Sequence, residues 1–127
     1  MRLPNDMHLA KVIAWILVGV VCWASLTPSP PRPPEILGWD KAQHFLAYAT
    51  LGYWFTRAYT RMTLWALFLM GLGISLEFLQ GIGGVRVMET LDMLANSLGV
   101  LTGWGLALLE KERCIRWLKL LINQPKL

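Results

Sequence analysis

Charged residues are scarce in this chain, and their scarcity is the first guide to its class. Of 127 residues, only 16% are Asp, Glu, Lys or Arg, whereas 55% are hydrophobic. Soluble domains carry about a quarter charged and roughly 45–50% apolar residues. The composition therefore points to a lipid environment, and the length fits a single domain over residues 1–127.

Cysteines and cysteine-based motifs are equally sparse. The two cysteines, Cys22 and Cys114, are far apart, and neither belongs to a CxxC or a Cys/His pattern, so we expect no disulfide, no metal site and no cofactor. A glycine-rich phosphate loop is also lacking. The net charge is +4, but the basic residues do not form a face with interleaved aromatic residues, so nucleic acid is not an expected partner.

Apolar runs make up most of the chain. They cover about residues 9–26, 41–56, 62–80 and 91–109, and about 20 apolar residues suffice to cross a hydrocarbon core of roughly 30 Å. The first run also resembles a signal peptide, but the three later runs favour an uncleaved span. The sequence therefore predicts an all-α membrane protein, a bundle of four transmembrane helices.

The distribution of basic residues predicts the orientation of these spans. Nine of the twelve Lys and Arg residues lie at the ends and in the loop near residue 60, and three lie in or near the loops at 27–40 and 81–91. Because basic residues in short loops stay in the cytoplasm, we expect both termini inside and those two loops outside. Residues 110–122 have one apolar stripe and several basic residues, which predicts a short amphipathic helix on the inner membrane surface.

Polar residues within the apolar runs follow helical spacings. Asp40, His44 and Tyr48 are four residues apart and therefore share one helix face, next to Lys41. In the same way Glu77 pairs with Gln80, and Asp92 pairs with Asn96, while Arg86 and Glu89 lie in the loop between them. All three faces fall in the outer half of the predicted membrane, where they can converge.

Each of these residues also has an ordinary explanation. Asp40 and Asp92 begin helices, where a carboxylate caps free amides, and Lys41 can extend to the headgroups. Amides such as Asn96 commonly join transmembrane helices by hydrogen bonds. Glu77 is harder to explain in this way, because a carboxylate inside an apolar span needs a partner.

The ordered pattern Asp40-Lys41-x-x-His44-x-x-x-Tyr48, Glu77-x-x-Gln80, Arg86-x-x-Glu89-x-x-Asp92-x-x-x-Asn96-x-x-Gly99-x-x-x-Gly103 resembles the VanZ-like family of bacterial membrane proteins. The resemblance covers about residues 36–105. It implies a multi-pass protein of the bacterial cytoplasmic membrane with a role in the cell envelope. The founding member of the family is associated with low-level resistance to the glycopeptide antibiotic teicoplanin, and the resemblance implies no particular reaction.

Three classes of function fit the pattern. The first is binding of an envelope lipid or lipid-linked precursor through its headgroup, with Arg86 and Lys41 as anion contacts. The second is an enzyme in which His44 acts with Asp40 or Glu77 as general acid or base, although no residue lies in a recognised nucleophile motif. The third is a structural module that only packs helices, forms a homo-oligomer or docks onto another membrane protein. The predicted ligand-binding residues are Asp40, Lys41, His44, Tyr48, Glu77, Gln80, Arg86, Glu89, Asp92 and Asn96.

Overall fold

The computed structural model describes residues 4–28 and 39–123, and within them the chain is helical without strands. It forms four helices, α1 (Pro4–Leu26), α2 (Trp39–Ala58), α3 (Met62–Ile82) and α4 (Thr90–Ile122). The proline-rich connector at 29–34 and three basic residues of the orientation argument, Arg2, Arg32 and Lys126, lie outside the described residues. The predicted all-helical class is confirmed.

Three of these helices have the length and apolar composition of membrane spans. Within the described parts of the chain they are Asn5–Leu26, Met62–Ile82 and Thr90–Ile122. α2 does not qualify by composition, because its first two turns carry Asp40, Lys41, Gln43 and His44. The structure thus supports a membrane protein with three apolar helices and does not confirm the predicted count of four spans.

The last helix differs from the prediction at its C-terminal end. α4 continues from Thr90 to Ile122 without a break, so the structure does not confirm a separate amphipathic helix over 110–122. The sequence from Leu109 to Arg116 contains neither proline nor glycine, so nothing in it interrupts the backbone hydrogen bonds of the helix.

The closest packing in the molecule is between α2 and α4, and glycine makes it possible. A Cβ atom on Gly99 would collide with the backbone carbonyl oxygen of Phe45, and one on Gly103 would collide with that of Ala49. Gly52 on α2 meets the backbone of Val100 in the same way. The four-residue spacing of Gly99 and Gly103 thus lets α2 approach α4 closely, and this contact fixes the register of the two helices.

Contacts at the two ends of this pair show that α2 and α4 run in the same direction. At one end His44 contacts Asn96, and at the other Tyr53 and Arg57 contact Glu110. α1 and α3 run the opposite way, since Trp15 in the middle of α1 bonds Tyr59 just after the end of α2, and Ser25 near the end of α1 bonds Gln80 near the end of α3. The bundle therefore has an aromatic end, around Trp15, and a polar end.

Candidate functional site

Eight side chains meet at the polar end of the bundle, where α2 and α4 begin and α3 ends. We call them the polar cluster: Asp40, Lys41, His44, Glu77, Arg86, Glu89, Asp92 and Asn96. They come from α2, α3, α4 and the loop between α3 and α4. The helical spacings of the sequence therefore bring these residues together, as their placement on three faces predicted.

Asp92 lies at the centre of the polar cluster and is fully buried. Its carboxylate is surrounded by three basic side chains: Lys41 Nζ is 3.5 Å from Oδ1, while His44 Nε2 and Arg86 Nη2 are 3.7 Å and 3.8 Å from Oδ2. Within the described part of the chain, neither oxygen makes a hydrogen bond. Asp92 is thus held by charge alone, which is an unusual state for a buried carboxylate.

The imidazole of His44 connects α2 to α4. Its Nδ1 lies 3.0 Å from Asn96 Oδ1, and its Nε2 lies 3.4 Å from Arg86 Nη1. A guanidinium can only donate, so the contact with Arg86 requires Nε2 as the acceptor. This assigns the ring proton to Nδ1, which then donates to Asn96 Oδ1. Asn96 therefore selects the tautomer in which the Nε2 lone pair faces Arg86 and Asp92.

Arg86 reaches the polar cluster because the loop after α3 folds back over the helix ends. Gly84 has a φ of 66°, a left-handed conformation that glycine adopts without strain. After it, the backbone N–H groups of Val85 and Arg86 both donate to Gln80 O, at 3.1 Å and 3.3 Å. The guanidinium then forms an ion pair with Asp40 as well as its contact with His44.

A second attachment holds the same loop from its other side. Lys41 Nζ donates to Glu89 Oε2 at 2.7 Å, and this hydrogen bond is the main cause that lowers the pKa of the Glu89 carboxyl. The backbone N–H of Glu89 in turn donates to Glu77 Oε1 at 2.9 Å. Glu77 is almost completely buried, so the partner that its burial required is the loop backbone.

Two predicted site residues lie outside the polar cluster. The side-chain amide of Gln80 donates to the carbonyl oxygen of Ser25 at 2.6 Å, which ties α3 to the end of α1. Tyr48 is buried one turn below His44, in the hydrophobic core with Leu51 and Val100. Their roles as ligand contacts stay predictions.

An apolar groove lies beside the polar cluster, at the end of α3 and along the loop that follows it. It has a volume of about 630 Å³. Ile82 and Val87, which line it, keep 82% and 77% of their surface exposed, so its walls are open to the surroundings. Arg86 belongs both to this groove and to the polar cluster. The groove residues are Phe78, Gly81, Ile82, Gly84, Arg86, Val87 and Met88.

Comparison with known proteins identifies the family. The model of the VanZ/LLP1 family matches residues 7–111, which run from α1 into the second half of α4. The chain belongs to the VanZ/LLP1 family. The resemblance placed on residues 36–105 is thereby confirmed, and the match extends over the first helix as well. No curated protein and no solved structure matches the chain.

The charges of the polar cluster do not balance in this VanZ/LLP1 chain. Four carboxylates stand against two permanent cations, which leaves a net charge of −2 with neutral His44. This negative charge is most costly at the buried Asp92, so positive charge is favoured beside that carboxylate, whereas the side chains of Lys41 and Arg86 remain about a third exposed. The carboxylates are Asp40, Glu77, Glu89 and Asp92, and the cations are Lys41 and Arg86.

Three side chains of the VanZ/LLP1 cluster are placed as metal ligands would be. Asp40, His44 and Asp92 each offer one ligand atom, and these atoms lie within 4.8 Å of one another. The expectation of no metal rested on the lack of cysteine patterns in the sequence and left out the His44 face of α2 and its position opposite the start of α4. The i, i+4 spacing of Asp40 and His44 was the available signal.

Among the described residues, no serine or threonine hydroxyl is hydrogen-bonded to the polar cluster, and those that bond do so to backbone carbonyls. The acid–base alternative would need a nucleophile such as Ser75, Thr90 or Ser97, which lie in the end of α3 or the start of α4. Ser75 is exposed and donates to Gly71 O at 2.7 Å. Its hydroxyl is therefore bonded within its own helix.

The groove was not predicted from the sequence, although the exposed pair Val87 and Met88 between Arg86 and Glu89 was a signal for it.

Proposed function

We propose that this VanZ/LLP1 chain binds the headgroup of an anionic envelope lipid or lipid-linked precursor at the outer surface of the bacterial cytoplasmic membrane. The observation that carries the proposal is the position of Arg86. Its guanidinium is shared between the polar cluster and the apolar groove, and it is 34% exposed. An amphiphile needs both surfaces side by side, one for its acidic head and one for its chain.

The chemistry of Arg86 suits a phosphate or carboxylate headgroup. A guanidinium presents five N–H donors in a fixed plane and binds such groups through two parallel hydrogen bonds. Asp40 already forms an ion pair with the guanidinium of Arg86. A bound anion therefore competes with Asp40 or shares the guanidinium with it. Lys41, whose ammonium is also about a third exposed beside Glu89, supplies a second cation at the same level.

A four-span topology supports this location. α2 lies beside α4 from Asp92 to Glu110, so a membrane crossed by that part of α4 is crossed by α2 as well. The 20 residues of α2 give it a length of about 30 Å, enough for the hydrocarbon core. In this arrangement both termini are cytoplasmic and the basic end of α4 runs along or below the inner membrane surface.

The lipid that accompanies the purified protein tests the proposal. Native protein and an Arg86→Ala variant are extracted in mild detergent, and bound lipid is identified and counted by mass spectrometry. We expect an anionic amphiphile to co-purify with native protein and to be lost from Arg86→Ala. Arg116→Ala is the matched control, because Arg116 is an exposed arginine at the far end of α4, and it should retain the lipid.

Two results would contradict headgroup binding. One is an Arg86→Ala protein that keeps the same lipid in the same amount. The other is a loss of lipid in Arg86→Ala that is accompanied by an equal loss in the Arg116→Ala control, since that would reflect general charge. Membrane abundance of each variant is measured in parallel, because a purely structural polar cluster would lower abundance and leave the lipid of the surviving protein unchanged.

The same proposal can be tested in cells by measuring antibiotic susceptibility. If the chain shares the envelope role of the family's founding member, its expression in a teicoplanin-susceptible bacterium should raise the inhibitory concentration of teicoplanin a few-fold, and Arg86→Ala at equal abundance should not. Equal susceptibility of cells with and without the native protein would separate this chain from that role.

A further inference from the structure

We propose that Asp40, His44 and Asp92 bind a divalent transition-metal cation, with Zn²⁺ the best fit to their chemistry. The site goes beyond headgroup binding and does not depend on it. It combines two carboxylates and one imidazole from the first turns of α2 and α4. Imidazole nitrogen with carboxylate oxygen is a donor set that suits Zn²⁺, whereas Mg²⁺ prefers oxygen alone.

The geometry already has the form of a binding site. One ligand atom from each residue lies within 4.8 Å of the other two, so small side-chain movements bring all three to a common ion at coordination distances of about 2.0–2.2 Å. Asp40 and His44 are one helical turn apart, and Asp92 faces them from α4 across the close glycine contact. Three protein ligands leave a coordination position open for water or for an anion.

Asp92 gives the strongest support for a cation at this position. Its side chain is fully buried and neither carboxylate oxygen makes a hydrogen bond to the described residues. A buried carboxylate normally collects several donors. Its oxygens instead point into the space between His44, Lys41 and Arg86, at distances of 3.5–3.8 Å, where a cation would meet both Asp92 and His44.

His44 is held in the form that metal binding requires. Its Nδ1 donates to Asn96 Oδ1, so the lone pair of Nε2 is directed toward Asp92. Metal-binding histidines usually donate their second ring nitrogen to an oxygen in this way, which fixes both tautomer and ring orientation. Asn96 is therefore a positioning residue for the site.

Charge gives an independent reason for a divalent ion. The polar cluster carries a net charge of −2 with neutral His44, and one divalent cation brings that charge to zero. The guanidinium of Arg86 now serves as the partial counter-ion of Asp40 and Asp92. It must move aside for the metal, and the open groove beside it provides the space.

Calorimetric titration of the purified full-length protein with Zn²⁺ tests the site. All proteins carry His8→Gln and Cys114→Ser, because both native residues are exposed and could bind zinc themselves. We expect one Zn²⁺ per chain, and a loss of affinity of about tenfold or more in Asp40→Asn and in Asp92→Asn. Glu110→Gln, which removes a carboxylate beside Tyr53 and Arg57 far from the polar cluster, should leave the affinity unchanged.

Arg86→Ala distinguishes the metal site from headgroup binding, because the two proposals predict different effects of this substitution. It removes the competing cation, so it should tighten Zn²⁺ binding while it abolishes lipid co-purification. Asp40→Asn is the variant expected to fold normally, because Asp40 is on the first turn of α2 and 38% of its side chain is accessible. Failure of the protein with an intact site to bind Zn²⁺, or equal affinities in Asp40→Asn, Asp92→Asn and Glu110→Gln, would overturn the metal site and leave the lipid result standing.

Discussion

At the scale of single residues, Glu77 shows how a buried carboxylate is used to shape a loop. Its Oε1 accepts the backbone N–H of Glu89 at 2.9 Å, which fixes the last residue before α4. Glutamine keeps this acceptor and removes the charge, whereas methionine removes both. We expect Glu77→Met to be less stable than Glu77→Gln by about 1–3 kcal/mol, the cost of leaving a buried donor unpaired, in chemical unfolding of detergent-solubilised protein. Equal stabilities would mean that the loop is held by other contacts.

The pair of Lys41 and Glu89 gives the loop a dependence on pH. The hydrogen bond from Lys41 holds the pKa of Glu89 below its ordinary value of 4.5. A carboxyl group whose pKa is lowered by folding stabilises the fold above its unfolded pKa and loses that contribution as the pH falls through the folded value. Native protein should therefore have a higher Tm than Glu89→Gln at pH 7, and the two melting curves should converge below pH 4.5. A gap that persists at low pH would assign the effect to packing.

Helical spacing made much of this residue-level arrangement predictable. Residues four apart share one face of a helix wherever that helix begins or ends. The sequence could therefore place Asp40 beside His44 and Asp92 beside Asn96. The choice of partners could not be predicted in the same way. Gln80 bonds a carbonyl group of α1 rather than the polar cluster, because its direction depends on how α1 and α3 cross.

At the scale of helices, the glycines between α2 and α4 set the distance on which the site depends. A Cβ atom at Gly103 would collide with the carbonyl oxygen of Ala49, whereas one at Gly105 meets nothing within 4 Å. Gly103→Ala should therefore cost about 1–3 kcal/mol through overpacking. Gly105→Ala should be neutral or stabilise by about 0.5–1 kcal/mol, because alanine favours the helix.

Unfolding of the two glycine variants in sodium dodecyl sulfate, followed by circular dichroism, measures this difference. The same spreading of α2 from α4 moves His44 away from Asn96, so Gly103→Ala should also weaken Zn²⁺ binding. Gly103→Ala with native stability would show that the helices adjust without loss, and the register would then need another explanation.

Element boundaries were predictable where the sequence contains a breaker and not elsewhere. Pro28 follows the end of α1, and Gly83 and Gly84 follow the end of α3, as expected from their backbone preferences. The end of the fourth span near residue 109 has no such signal, and α4 continues to Ile122. The fold of the loop after α3, which creates the groove, depends on hydrogen bonds to Gln80 O that no local pattern specifies.

At the scale of the whole molecule, its two ends are built differently. The aromatic end stacks Tyr59 on Trp65, with ring centroids 4.2 Å apart, and joins Trp15 to Tyr59 by a hydrogen bond. Such rings with polar edges suit the level where membrane meets water. The polar end gathers most of the buried charge. An asymmetry of this kind is expected of a protein that acts on one membrane surface and is anchored at the other.

The side of the membrane on which each loop lies decides whether this asymmetry has the orientation that we propose. Single cysteines replace Thr27, Thr60 and Val87, which are all exposed, in a protein that also carries Cys22→Ser and Cys114→Ser. Each cysteine shows on which side of the membrane one of the three loops lies. If α2 spans the membrane, cysteines at 27 and 87 react with an impermeant maleimide added to intact spheroplasts, and the one at 60 reacts only after permeabilisation. If α2 does not span, positions 27 and 60 must share one side and 87 must lie on the other. Reaction of position 60 from outside would therefore disprove the topology and place the polar cluster away from the external surface.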